Sequence, residues 1–359
     1  MTHELEMGLD TFGDVTLDAA GKPKPHAQIL RDVVAEAVLA DQVGVDFIGL
    51  GEHHREDFAI SAPDTVLANI AGLTRRIHLG TAVTVLSSDD AIRVFQRFST
   101  LNALSNGRAE IILGRGSFTE SFPLFGYALG DYEMLFEDKL DLFAKVLESD
   151  RTGAPVSWSG RSRRPVQGIR VHPPTEHQTL TTWIGVGGSP ESVVRAARHG
   201  FNLVLAIIGG HPLRFRSYVD LYLDTLEKSG RPALPIAVHS PGHIAESDGK
   251  AREEYWSGYR AMRDRIGRER GWPPTIYREF EGEVEDGSLY VGSPETVAKK
   301  IASTAHGLGI DRFDMKYSAG TLSHDAMLRS IELYGREVIP RVRAILQKQA
   351  VPEAASSRA

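Results

Sequence analysis

Short apolar, β-prone runs alternate with amphipathic helical stretches along most of this chain, and few architectures accept that order. Leu5 to Leu9 opens as a strand. From His26 to Val43 the apolar positions Ile29, Val33, Ala37 and Ala40 recur at helical spacing, and Gly44 follows as a natural stop. Val45 to Leu50 is a strand, Asp64 to Gly72 a helix, and Ile77 to Leu86 a longer apolar strand of the kind buried on both faces. Ile92 to Leu104 reads as helix, Ala109 to Gly114 as strand, and Tyr132 to Glu148 as the clearest amphipathic helix. After a stretch rich in Gly, Pro, Ser and Arg, with room for a small hairpin, the order resumes. Trp183–Val186, Phe201–Ala206, Ile236–Ser240 and Arg312–Lys316 are strands; the helices are Ser189–His199, Pro212–Lys228, Pro294–His306 and a closing one over Leu322–Leu346, bent near Pro340.

Eight strands separated by helices imply a TIM (β/α)8 barrel, ahead of a doubly wound sheet. It forms a single domain over 1–350, with enlarged loops after strands 4 and 7 (insertions near 149–180 and 241–290) and a disordered tail at 351–359. The net charge of -6 argues against nucleic acid as a partner, and the basic run Arg161–Arg164 sits in a context that suits a solvated loop. Without cysteine the chain has no disulfide, Fe–S cluster or thiol nucleophile. The amino terminus lacks a signal pattern and no apolar run approaches the ~20 residues of a membrane span, which points to a cytoplasmic protein.

In such a barrel, chemistry collects where strands end. The informative residues are Glu52-His53-His54, the stretch near Ala82-Val83, Arg115-Gly116-Ser117 and Gly187-Gly188-Ser189. Adjacent side chains on an extended strand point to opposite faces, so His53 and His54 do not share one metal unless the backbone turns between them. Among the other strand ends only His239 would fit a metal ligand set, and no metal site is expected. A histidine with an ordinary pKa of ~6.5 serves more naturally as a proton carrier, beside the alternative of a ring merely bonded to backbone. Gly187-Gly188-Ser189-Pro190-Glu191 opens a helix after a strand, and its free amides suit a phosphate. Gly292-Ser293-Pro294-Glu295 repeats the pattern, so the motif alone says helix start. Arg115, between glycines at a strand end, suits bidentate anion recognition or a salt bridge to a neighbouring loop.

Taken in order, Leu50-Gly51-Glu52-His53-His54, Arg76-Ile77-His78-Leu79-Gly80-Thr81-Ala82-Val83, Ser105-Asn106-Gly107-Arg108 with Leu113-Gly114-Arg115-Gly116, and Trp183 to Ser189 resemble the bacterial luciferase-like flavin-dependent monooxygenases. Val291 to Val297 also fits. The resemblance implies a TIM barrel binding FMN at the carboxyl ends of its strands. It gives His53 a role in proton transfer and His54 a supporting one, with Glu52 beside them, and it places a non-proline cis peptide against the flavin at Ala82-Val83. Arg115 and the amides around Gly187, Gly188 and Ser189 would hold the phosphate. The implied reaction uses reduced FMN, dioxygen and a small organic substrate, with a separate flavin reductase as supplier and a homodimer as the working unit. Phe118, Phe122 and Phe125 form either a pocket wall or loop core. Gly114 stands where luciferase has a reactive cysteine, so light emission is not implied. The alternatives are a deazaflavin-dependent dehydrogenase on the same barrel, a flavin-binding protein without turnover and, third, a metal hydrolase. The substrate depends on loops 117–131 and 241–290.

Overall fold

The computed structural model describes residues 4–356 apart from 19 and 117, so Ser117 and the last three residues of the expected tail lie outside the described residues. In chain order the elements are β1 (Glu6–Thr11), α1 (His26–Val43), β2 (Phe47–Leu50), α2 (Pro63–Leu73), β3 (His78–Thr81), β4 (Thr84–Val85), α3 (Ala91–Leu104) and β5 (Glu110–Gly114). Next come α4 (Ser121–Phe125), α5 (Tyr132–Thr152), β6 (Val156–Trp158), β7 (Val166–Ile169), β8 (Thr181–Val186), α6 (Pro190–His199), β9 (Asn202–Ala206) and α7 (Arg216–Lys228). The last third holds β10 (Ile236–Ile244), α8 (Asp248–Arg270), α9 (Tyr277–Glu285), β11 (Tyr290–Gly292), α10 (Pro294–Leu308), β12 (Arg312–Lys316), α11 (His324–Leu333) and α12 (Ile339–Ser356).

The strands pair in the order β3-β2-β1-β12-β10-β9-β8-β5-β4, all in parallel. A parallel bridge from Leu79 to Ala109 brings β3 to β5, and the sheet closes on itself. Since β3 and β4 are two halves of one position and β11 only extends β10, this is the expected (β/α)8 barrel. The apolar periodicity makes it so: each helix turns its buried stripe onto strands that are themselves buried on both faces.

The barrel interior has its own core of Phe47, Ile112, Trp183, Val204 and Ala237, with Val83 packed on top. Beneath it Arg312 lies between the rings of Phe47 (4.0 Å) and Trp183 (4.1 Å) and donates to Glu110 (2.7 Å). Glu110 also accepts from Trp183 (2.8 Å) and bonds His78 (2.7 Å). Burial alone would raise its pKa, but the Arg312 and His78 charges hold it down to about 2.

Several elements differ from the sequence reading. The strand expected over Ile77–Leu86 is divided into β3 and β4, because the Ala82–Val83 peptide is cis and interrupts the extended pleat. The stretch from Glu246 to Val291, within the insertion whose conformation no periodicity fixed, is largely helix. The 23-residue α8 has a polar sequence and a narrow buried stripe of Ala251, Tyr255, Gly258 and Tyr259, too thin to stand out as periodicity. Gly258 is required there, because a Cβ would sit 2.4 Å from the Ala319 carbonyl oxygen. Segment 149–180 finishes α5 and then forms an antiparallel hairpin, β6 with β7, before entering β8. The closing helix is interrupted at Tyr334–Val338 by a π-helical turn, where the Ile339 N–H bonds the Tyr334 carbonyl and the next residue, Pro340, has no N–H to give. Helix α12 continues through Ser356, past residue 350 where a disordered tail was expected.

Candidate active site

At the carboxyl ends of the strands the cis Ala82–Val83 step sits among glycines. A Cβ on Gly114 would lie 2.5 Å from Val83 Cγ2, and one on Gly185 2.9 Å from Val83 Cγ1, so both strands must be bare where the valine passes. Gly49 and Gly51 do the same for Ala82, since a Cβ at either would lie 3.0 Å from an Ala82 atom. Glu52 secures this step from the neighbouring strand end. Its Oε2 accepts from the Val85 N–H (2.9 Å), its Oε1 lies 3.0 Å from His54 Nε2, and its own N–H donates to the Val83 carbonyl (3.2 Å). With both carboxylate oxygens engaged, Glu52 positions the wall rather than presenting a free charge.

The two histidines diverge, as an extended backbone requires. His54 stays with Glu52, edge-on to Phe125 at 4.9 Å. His53 turns into a cage of Phe12 (4.6 Å), Phe58 (4.6 Å) and Phe118 (5.2 Å). Burial pushes its pKa down to about 3, Asp14 opposing and Lys316, Arg55 and His54 adding to the fall. His53 is therefore a neutral imidazole at working pH, unlike the free residue used as the sequence-level guide. The phenylalanines divide: Phe118 and Phe125 flank the histidines, whereas Phe122 is fully buried against Tyr132 (5.4 Å) and is loop core.

Beside the cis step, across β5 and β8, lies a cluster of arginines and carboxylates. Arg115 pairs with Glu133 of α5, and Glu133 also meets Arg195 of α6 at 3.5 Å. Arg195, nearly buried, donates to Ser192 Oγ (3.1 Å), which lies 3.4 Å from Ser189 Oγ, and pairs with Glu137. Ser189 caps α6 by accepting from the Ser192 N–H. Gly188 takes φ 123°, a conformation that side chains avoid, and a Cβ at Gly187 would meet open space. Arg115 thus reaches Ser189 through a chain of contacts by way of Glu133, Arg195 and Ser192, with Gly187 and Gly188 just before it; Arg195 and Glu133 were missed because each looks like an ordinary helix-surface charge in sequence. The repeated motif differs: at α10 the carboxylate of Asp248 already accepts from the Ser293 N–H (2.7 Å) and the Thr296 hydroxyl (3.0 Å). At α6 the Glu191 carboxylate accepts from the Ser189 hydroxyl (2.8 Å), so each helix start carries an anion of the protein's own, and what sets α6 apart is the pair Arg115 and Arg195 beside it.

A second missed group lies across the barrel mouth. His239 on β10 reaches over β12 to Asp10 on β1, Nδ1 to Oδ2 at 2.7 Å. Lys316 bonds Asp14 (2.9 Å) and lies over the Phe12 ring (4.6 Å). Asp314, wholly buried with neither oxygen hydrogen-bonded, has its pKa raised by burial to about 7, Arg312 opposing. Among the described residues no group of three or more His, Cys, Asp or Glu side chains is placed to hold a metal ion, and no helix is long and apolar enough to cross a membrane.

The far end of α8 lies against this cage. Arg55 donates to Asp57 (3.0 Å) and to Glu269 (2.8 Å), Arg265 pairs with Asp57 (3.3 Å), and both Arg55 and Arg270 lie over Phe118, at 4.6 Å and 5.2 Å. The helix that sequence periodicity did not reveal thus packs against the cage around His53.

The sequence model of the luciferase-like monooxygenases matches residues 11–312. A 4-hydroxyprotoasukamycin monooxygenase of Streptomyces nodosus subsp. asukaensis is 26% identical over 338 residues, covering 90% of this chain and 89% of its own. In fold the chain is similar to the oxygenating constituent of 3,6-diketocamphane monooxygenase from the CAM plasmid of Pseudomonas putida, a type II Baeyer–Villiger monooxygenase in complex with FMN. That similarity has a TM-score of 0.75, 18% identity, and coverage of 94% of this chain and 99% of that one. It is also similar to the coenzyme F420-dependent tetrahydromethanopterin reductase of Methanopyrus kandleri, with a TM-score of 0.69, 18% identity, and coverage of 94% and 99%.

Proposed function

Because the chain belongs to the luciferase-like monooxygenase family, we propose that it is an FMN-dependent oxidoreductase, a monooxygenase that acts on a small organic substrate with reduced FMN and dioxygen. One observation carries the reading. Adjacent strand ends β4, β5 and β8 set a flat wall at Ala82–Val83 next to an anion end built from Arg115, Arg195 and the α6 amino terminus. A planar ring joined to a phosphate asks for that pair of features.

The residues fit such a group. Arg115 and Arg195 already share the Glu133 carboxylate, which marks where they accept an anion, and the amides of the Gly187-Gly188-Ser189 turn are the further donors this reading calls on. When bound, reduced FMN supplies the electrons and activates dioxygen. The chain's own work is to bind, orient and exclude water. Glu52 holds the wall through Val85, the Phe12–Phe58–Phe118 cage keeps His53 dry and uncharged, and the far end of α8 lies against that cage. A neutral His53 can hydrogen-bond a reacting oxygen without titrating. The apolar rings around it favour a substrate with an uncharged reacting end.

On this reading a separate reductase supplies reduced flavin, and the enzyme works as a cytoplasmic homodimer, both carried over from the family resemblance. A deazaflavin reading is favoured by the F420-dependent structural neighbour and shares the anion end. Anaerobic titration of the protein with oxidised FMN, reduced FMN and reduced deazaflavin, read by absorbance and protein fluorescence, separates them. Tight binding of reduced FMN, followed by slow oxygen-dependent decay of a distinct absorbance on admitting air, supports the proposal. Binding of deazaflavin alone replaces it with the dehydrogenase, and binding of neither removes both.

A further inference from the structure

We propose that His239, steadied by Asp10, is the group that exchanges protons with the substrate in this pocket. The assignment takes its chemistry from the monooxygenase reading, but the acid–base behaviour it requires belongs to the protein alone.

The geometry separates the two histidines of the mouth. The Asp10 carboxylate can only accept, so the 2.7 Å contact fixes the proton on His239 Nδ1 and leaves Nε2 as the exchanging atom. Among the described residues no hydrogen bond from a protein group reaches Nε2, and the side chain keeps 12% of its surface exposed. His239 is near-parallel to the Phe12 ring at 6.4 Å, and Phe12 also touches the His53 ring, so both imidazoles flank one aromatic side chain at the carboxyl ends of the strands. His53, by contrast, has aromatic neighbours and, among the described residues, no carboxylate hydrogen-bonded to its ring.

The charges point the same way. Asp10 is fully buried and its Oδ1 lacks any hydrogen bond, so an imidazolium at His239 is its nearest compensation. The groups facing His239 are Asp10 from β1 and Asp314 and Lys316 from β12, while β9 presents uncharged Ala206 beside it. Lys316 opposes protonation, but its ammonium is tied to Asp14 and to Ser318. Burial would lower the His239 pKa; Asp10, by charge and hydrogen bond, and Asp314 outweigh burial and raise it. In the cycle, His239 Nε2–H gives its proton to a substrate oxyanion. The imidazolium becomes imidazole, the oxyanion becomes a hydroxyl, His239 Nδ1–H goes on donating to the Asp10 carboxylate, and a proton from solvent restores Nε2–H.

The test is histidine-selective ¹⁵N NMR of the full chain from pH 5 to 9, for wild type, His239→Gln, Asp10→Asn and His53→Gln. The resonance missing in His239→Gln should titrate above the free-histidine value of ~6.5. It should fall in Asp10→Asn, and His53 should stay neutral throughout. In the flavin-loaded enzyme, His239→Gln should lose roughly 100-fold in turnover together with the pH dependence, with FMN affinity kept. His239→Asn serves if the glutamine variant does not fold. A His239 that titrates at or below the free-histidine value of ~6.5, or a pH dependence that vanishes with His53→Gln and survives His239→Gln, overturns the proposal. A high-titrating His239 in a protein that binds no flavin overturns the cofactor reading and upholds the proton assignment.

Discussion

Replacing Gly114 by alanine tests the construction of the site wall without any cofactor. The new Cβ would stand 2.5 Å from Val83 Cγ2, 3.0 Å from its Cβ and 3.2 Å from Cγ1. Carbon atoms rest at about 3.5–4.0 Å, so the overlap approaches 1 Å on one methyl and is smaller on two neighbours. Val83 has little room to withdraw, since it packs on the barrel core and its Cγ1 already fills the space above Gly185. An overpacked site of this kind costs about 1–3 kcal/mol. Val83→Ala removes both offending methyls and by itself costs at most about 1.6 kcal/mol, from two buried carbons at ~0.8 each. If the clash is the cause, the double variant should be no less stable than Val83→Ala alone, a coupling of at least 1 kcal/mol in its favour, on the order expected for residues in contact. Urea denaturation of the four proteins at pH 7.5, compared at equal m-values, measures it. Two single costs that simply add, or a Gly114→Ala variant within about 0.5 kcal/mol of wild type, would falsify the packing argument.

Three further outcomes follow from other parts of the site. Arg195→Met, which keeps the packing stem, should weaken FMN binding roughly 10- to 100-fold by removing a charge-assisted anion contact, and fluorescence titration reads this directly. Glu52→Ala leaves the buried Val85 N–H without its acceptor and should lower the unfolding free energy by about 1–3 kcal/mol; a variant as stable as wild type would show that Glu52 does not hold the wall. For His53 the sign is set by a folded pKa of about 3 below the unfolded value of ~6.5: the unfolded chain takes up a proton that the folded one refuses. Stability from this group is therefore present above ~6.5 and declines as pH falls from there toward 3, by up to about 1.4 kcal/mol per pH unit. His53→Gln should remove that share of the decline between pH 6.5 and 5, measured as the difference between the two proteins' denaturation profiles.

The barrel was legible because its information is local. The 3.6-residue period of α1 states which face is buried, the continuous apolar run of β5 marks a strand buried on both faces, and Gly44 and Ser189 announce a stop and a start. The fault at Ala82–Val83 was not legible from β propensity, which reads Ile77–Leu86 as one strand; only resemblance to known sequences pointed there. Helix α8 escaped for the opposite reason: its partners are a loop at Ala319 and a few buried tyrosines, so it carries too narrow an apolar stripe to register.

From the sequence alone come the (β/α)8 order, the strand ends where chemistry gathers, and the residue types at Glu52-His53-His54 and Gly187-Gly188-Ser189. Tertiary structure decides what those types do. Asp10 and His239 are 229 positions apart, and Arg195 lies 62 from Glu133. Secondary structure follows from side-chain periodicity within a dozen residues, whereas a histidine's charge follows from the dielectric and the carboxylates that distant segments bring to it. The chain spells the two histidines alike, and only the closed barrel lowers the pKa of His53 and raises that of His239.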